Sequence, residues 1–69
     1  MANNVAMHVA KSVSAYRLIQ KLSQAELAEK CGISRQAVDQ IERGKMVPSL
    51  RTVESLAAAF GVKPSDLLP

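Results

Sequence analysis

The amino-acid sequence predicts an all-helical domain, and three observations carry that prediction. No stretch alternates polar and apolar residues with the two-residue period of a strand, whereas apolar residues recur every three to four positions along most of the chain. The apolar 48% is aliphatic and Ala-rich, with Tyr16 and Phe60 the only aromatics, and Ala and Leu lead the helix scale while β-branched residues are scattered. Serines of the kind that cap helices and glycines of the kind that end them punctuate the chain in turn. At 69 residues a hydrophobic core is already marginal, so one domain is expected rather than two, and dimerisation would add stability.

The elements follow in order. Residues 1–6 read as a flexible arm of small and amide side chains, with the folded domain spanning 7–69. From about Met7 to Lys21 a helix free of Gly and Pro presents Val9, Val13 and Tyr16 as one apolar stripe. Ser23-Gln24-Ala25-Glu26 has the form of a capping box and opens a short helix to about Cys31, with Leu27 and Ala28 inward. Gly32 supplies the left-handed conformation that stops it. Ser34 caps a third helix with Val38 and Ile41 on one face and Arg35, Gln36, Asp39, Gln40 and Arg43 on the other, and Gly44 ends it. After a loop from Lys45 to Pro48, Ser49 caps a helix reaching Phe60, with Leu50, Val53, Leu56, Ala57 and Phe60 inward, and Gly61 terminates it. Pro64 suits the first turn of a final short helix, Ser65 to Leu68.

Bulk properties narrow the function classes. A net charge of +3 and a pI near 9.4 suit an anionic partner without demanding one. The single cysteine, Cys31, excludes an internal disulfide and reads as a small apolar residue under a turn. The longest apolar run, Leu56 to Phe60, is too short for a membrane span, and the N-terminus lacks the basic and apolar regions of a signal peptide. A cytoplasmic, nucleoid-associated location is therefore expected. There is no Ser/His/Asp set, metal-ligand cluster or Gly-rich phosphate loop, so neither an enzyme nor a cofactor is expected. His8 has no partner at metal spacing and is assigned to the surface, and Met46 is expected to fill a gap in its loop.

The informative segment is Gln24 to Arg43. Two short helices joined by a tight turn need a small residue where their axes approach, and Ala28 stands there. They need a residue tolerant of positive φ four positions later, and Gly32 stands there. They also need apolar residues joining the pair to the domain, supplied by Leu27, Cys31, Ile33, Val38 and Ile41. Meeting all three conditions at once marks a helix-turn-helix, whose second helix enters the major groove with its N-terminal residues toward base edges.

The string Leu22-Ser23-Gln24-Ala25-Glu26-Leu27-Ala28, Gly32-Ile33-Ser34, Ile41-Glu42-Arg43-Gly44, Pro48-Ser49-Leu50 and Leu56-Ala57 resembles the Cro and lambda-repressor-like, or XRE-type, regulators. The resemblance covers roughly Val9 to Leu68. It implies a compact five-helix DNA-binding domain that acts as a homodimer on a palindromic operator in double-stranded DNA.

Carried over position by position, the resemblance implies that Gln24 touches a phosphate and braces the recognition helix, in keeping with the free amides of a helix N-terminus. It puts Arg35, Gln36 and Gln40 on the groove-facing side of the recognition helix, about 34–43. There arginine can fork onto guanine O6 and N7, and glutamine onto adenine N6 and N7. Asp39 on the same face either accepts from a cytosine amino group or orients Arg35 or Arg43. Arg43, Lys45 and Arg51, with Ser34 and Ser49 at helix starts, are candidates for phosphate contact. Arg17 and Glu42 match a partly buried salt bridge of the family that joins the first helix to the end of the third. Val62, Leu67 and Leu68 are apolar enough either to pair two chains through the last helix or to close the core.

The leading function is thus a sequence-specific transcription regulator, a repressor or an operon controller. The alternative is the antitoxin of a toxin–antitoxin pair, which would bind a toxin protein as well as its operator.

Overall fold

A computed structural model describes residues 4–69 as four α-helices and a final 3-10 turn: α1 Asn4–Ile19, α2 Gln24–Cys31, α3 Arg35–Glu42, α4 Leu50–Phe60, and the turn Pro64–Asp66. α1 starts three residues before Met7, so the second half of the expected arm is the first turn of a helix and buries Ala6. The remainder of that arm, Met1 to Asn3, lies outside the described residues.

α1 buries Ala6, Val9, Ala10 and Val13; of the expected stripe Val9 and Val13 are fully buried and Tyr16 is half-buried. It ends at Ile19, before the expected Lys21. Lys21 instead takes φ of 58°, and the Leu22 N–H closes onto the Arg17 carbonyl at 3.0 Å, a left-handed helix stop with lysine where glycine is usual. Ser23 then caps α2 as expected. Its Oγ accepts the Glu26 N–H at 3.0 Å, and its own N–H donates to Glu26 Oε1 at 2.8 Å. Gly32, at φ 68°, turns the chain into α3, where Ser34 Oγ accepts the Ala37 N–H at 3.0 Å.

With eight residues each, α2 and α3 are too short to persist alone, because nucleating an isolated helix of that length costs more than its few hydrogen bonds return. Burial holds them. Leu27 and Ala28 of α2 and Val38 and Ile41 of α3 join Val9 and Val13 of α1 and Val53, Leu56, Ala57 and Phe60 of α4 in one aliphatic core. Each large apolar side chain buried there contributes about 1.5–3 kcal/mol. Tyr16 is only half-buried and stacks on Phe60, ring centroids 5.5 Å apart, which binds α1 to α4. Gln20 adds a second tie between the same helix ends, its Nε2 donating to the Phe60 carbonyl at 2.8 Å.

Three expectations are corrected. The fifth helix implied by the resemblance is a 3-10 turn of three residues. Leu67 closes onto Pro64 by the tighter i to i+3 bond, at 3.0 Å. Leu50 points outward, 66% exposed, because it is the first residue after the Ser49 cap and Pro48 is buried beside it. Met46 is exposed and fills no gap; the thioether lying over Gly44 is that of Met7. Of the two roles open to Val62, Leu67 and Leu68, the structure favours closing the core: Leu67 is fully buried, and Val62 and Leu68 pack against it partly buried. Cys31 does pack under the turn, Sγ 3.7 Å from the Ser55 carbonyl, and burial pushes its thiol pKa up.

Candidate nucleic-acid interface

The outer face of α3 is built on the inner one. Val38 and Ile41 are buried, and the 100° step of a helix then turns Arg35, Gln36 and Gln40 into solvent, where all three are exposed. Gln36 and Gln40 stand one turn apart, so their amides share one stripe, and neither makes a hydrogen bond to another side chain among the described residues. Their donor and acceptor atoms are therefore open to a partner.

The neighbouring stripe, Arg35, Asp39 and Arg43, faces the start of α2 and is internally bonded. Arg35 Nη1 donates to Gln24 Oε1 at 3.2 Å. Gln24 Nε2 lies 3.3 Å from Asp39 Oδ1 and 3.3 Å from Glu42 Oε1. Arg43 Nε pairs with Asp39 Oδ2 at 2.9 Å, one helical turn away. Gln24 thus braces α3 from the first turn of α2 through three side chains at once. Of the two roles open to Asp39, the structure brings it to Arg43 and to Gln24.

Arg17 underpins this face from the opposite side. Its Nε and Nη2 fork onto Glu42 Oε2 and Oε1 at 2.7 and 3.0 Å, and its Nη1 donates to the Leu22 carbonyl at 2.9 Å. The Glu42 hydrogen bond raises the Arg17 pKa further above its already high ordinary value. Glu42 in turn meets Gln24, so the structural pair and the outer face form one network. The Leu22 carbonyl and the Gln20 tie were not legible in the sequence. A backbone acceptor carries no residue identity, and a glutamine near a helix end looks ordinary until its neighbours are known.

Lys45, in the loop between α3 and α4, and Arg51, in the first turn of α4, are both exposed, as is Arg43 at the end of α3. Ser34 and Ser49 both serve as caps. Ser49 Oγ accepts the Thr52 N–H at 3.2 Å and directs its own proton to Thr52 Oγ1 at 3.1 Å, so its hydroxyl donor is used within the chain. The Ser34 hydroxyl accepts only from Ala37 among the described residues.

Comparison with known proteins agrees with this arrangement. The helix-turn-helix family HTH_3 matches residues 13–67. An uncharacterized HTH-type transcriptional regulator of Methanocaldococcus jannaschii is 46% identical over 52 residues, 75% of this chain and 79% of that protein. The control protein C.BamHI of Bacillus amyloliquefaciens is 38% identical over 69 residues, 99% of this chain and 85% of that protein. Among solved structures, the P22 c2 repressor in complex with a synthetic operator superposes with a TM-score of 0.83 at 30% identity, over 87% of this chain and 91% of that one. A turn through Gly32 between two eight-residue helices, an outward amide stripe, and a family match spanning both lead to one conclusion: the chain belongs to the XRE-type helix-turn-helix family of transcription regulators.

Proposed function

We propose that the chain regulates transcription by reading duplex DNA as a homodimer on a palindromic operator, with α3 lying in the major groove. The observation that carries this is the outer face of α3: Gln36 and Gln40 are exposed, with no side-chain hydrogen bond among the described residues, on a helix whose other face is locked into the core. Side chains held on a rigid element, with their polar atoms unspent, are what base-edge recognition requires. Gln36, Gln40 and Arg35 read bases. Lys45 and Arg51 hold phosphates, joined by Arg43 through the guanidinium nitrogens that are not paired with Asp39. Gln24 meets a phosphate through its backbone N–H at the N-terminus of α2, where the free amides and the dipole favour an anion, with Ser34 offering a hydroxyl at the start of α3. The complex of the P22 c2 repressor with operator DNA and the role named for C.BamHI favour a repressor or controller, and such a regulator acts where the chromosome is, in the cytoplasm. The toxin–antitoxin alternative draws no support from these relatives.

Selection of bound sequences from a random duplex pool tests the proposal. The expected result is a two-fold symmetric site with half-sites about 10–10.5 base pairs apart, centre to centre. Gln36→Ala and Gln40→Ala should each relax one position per half-site. A pool that yields no preferred sequence, or variants that select the wild-type site unchanged, would refute the assignment.

A further inference from the structure

We propose that Asp39 determines sequence specificity without touching a base: it fixes the direction of the Gln24 amide and so the place to which Arg35 reaches. This rests on the DNA-reading role of α3 and goes beyond it by assigning how one reader is aimed.

An amide side chain can usually rotate by half a turn at little cost, exchanging its oxygen and nitrogen. Here the exchange is blocked. Gln24 Nε2 has two hydrogens, and two carboxylate oxygens stand 3.3 Å from it, one from Asp39 and one from Glu42. Turning the amide over would set Oε1 against both carboxylates, replacing two charge-assisted hydrogen bonds with two repulsions. Oε1 is therefore left on the far side, where it accepts Arg35 Nη1 at 3.2 Å. A guanidinium tethered by one nitrogen at the start of α3 has lost much of its rotamer freedom before any partner arrives, and the ordering cost of binding falls accordingly.

The two carboxylates are not equivalent. Glu42 already holds Arg17 through both oxygens and is needed for the fold. Asp39 is half-exposed, and besides Gln24 its carboxylate meets Arg43, on its own helix. It is the member that can be removed while the domain stays folded, and alanine at a helical position does not weaken α3. With Gln24 bonded to one Asp39 oxygen and Arg43 to the other, a cytosine amino group would have to compete for a carboxylate already engaged twice.

The test is binding of the wild-type chain, Asp39→Ala, Arg35→Ala, Arg43→Ala and the Asp39→Ala/Arg35→Ala pair to the selected site and to each single-base change within it. Circular dichroism melts verify that every variant is folded. Arg35→Ala identifies the base pair that Arg35 reads. Asp39→Ala should lower discrimination at that same base pair by about 3- to 10-fold, the worth of one ordered long side chain. Its affinity for unrelated duplex should be equal or higher, since a negative charge has gone. The double variant should match Arg35→Ala there, and Arg43→Ala, which leaves the Gln24 bond in place, should keep that discrimination. Relaxation at a base pair that Arg35→Ala leaves intact would show direct contact by Asp39 and overturn the proposal. Unchanged discrimination at the Arg35 base pair, or an equal loss at every position, would overturn it as well. A wild-type chain that selects no sequence overturns the DNA-reading role and this proposal together, whereas the other outcomes overturn this proposal alone.

Discussion

Arg17 and Glu42, 25 residues apart, meet through two parallel hydrogen bonds of 2.7 and 3.0 Å, with their side chains only 15% and 8% exposed. Because Arg17 Nη1 also closes onto the Leu22 carbonyl, this one side chain joins α1, the entry to α2 and the end of α3. The orientation of the recognition face is thus set from behind, by a pair that does not itself lie on it.

Arg17→Ala leaves the Glu42 carboxylate poorly solvated without its cation and should destabilise the domain by about 3 kcal/mol. Urea denaturation reads this directly. Glu42→Ala should cost a similar amount, and the double variant should cost less than the sum. A loss below about 0.5 kcal/mol for Arg17→Ala would place the pair with ordinary surface ion pairs.

Lys45, in the loop after α3, and Arg51, in the first turn of α4, are exposed. Replacing both by alanine should lower affinity for specific and unrelated duplex alike. The slope of log affinity against log salt should become shallower by about 0.9 for each phosphate that is no longer neutralised. Titrations between low and moderate salt check this, and an unaltered slope would mean that neither residue holds a phosphate.

Glu26 accepts the Ser23 N–H and bonds the Ser23 hydroxyl, and these bonds, the backbone one foremost, hold its carboxyl below the ordinary value of 4.5. A carboxyl depressed in the folded chain and normal in the unfolded one stabilises the fold at pH above its unfolded value. That contribution fades as pH falls through the lower folded value. Glu26→Gln keeps an acceptor for the capping box but cannot titrate. Its melting temperature should therefore lie below that of wild type at neutral pH and decline less steeply below about pH 4.5, so that the gap between the two closes in acid. Parallel acid melting curves would contradict this.

Lys21 holds φ of 58° at the stop of α1, a conformation in which a Cβ is unfavourable. Lys21→Gly should stabilise the domain by about 1 kcal/mol, since relief of strain in the folded chain outweighs the extra freedom of glycine in the unfolded one. Thermal melts check it, and a lowered melting temperature would mean that the lysine side chain contributes packing.

Much of this protein is decided locally, and local decisions can be read from a sequence. Ser23, Ser34 and Ser49 cap the helices they precede, and Gly32 ends α2, because hydrogen bonds to the nearest amides and the sign of φ depend on residues within one turn. The inward set Val38 and Ile41 and the outward set Gln36 and Gln40 follow from helical period alone. What the tertiary structure decided are the relations between distant positions and the ends of elements. Periodicity assigns Leu50 to the core, yet Leu50 is exposed while Pro48 two residues before it is buried, and Leu67 belongs to the core. Nor does any spacing show that Asp39 bonds Gln24, 15 residues away, because side chains of such separation meet only where packing has set the angle between their helices. The sequence determined which residues line each helix; the crossing of α2 and α3 over a shared aliphatic core determined which of their polar groups bond each other and which remain open.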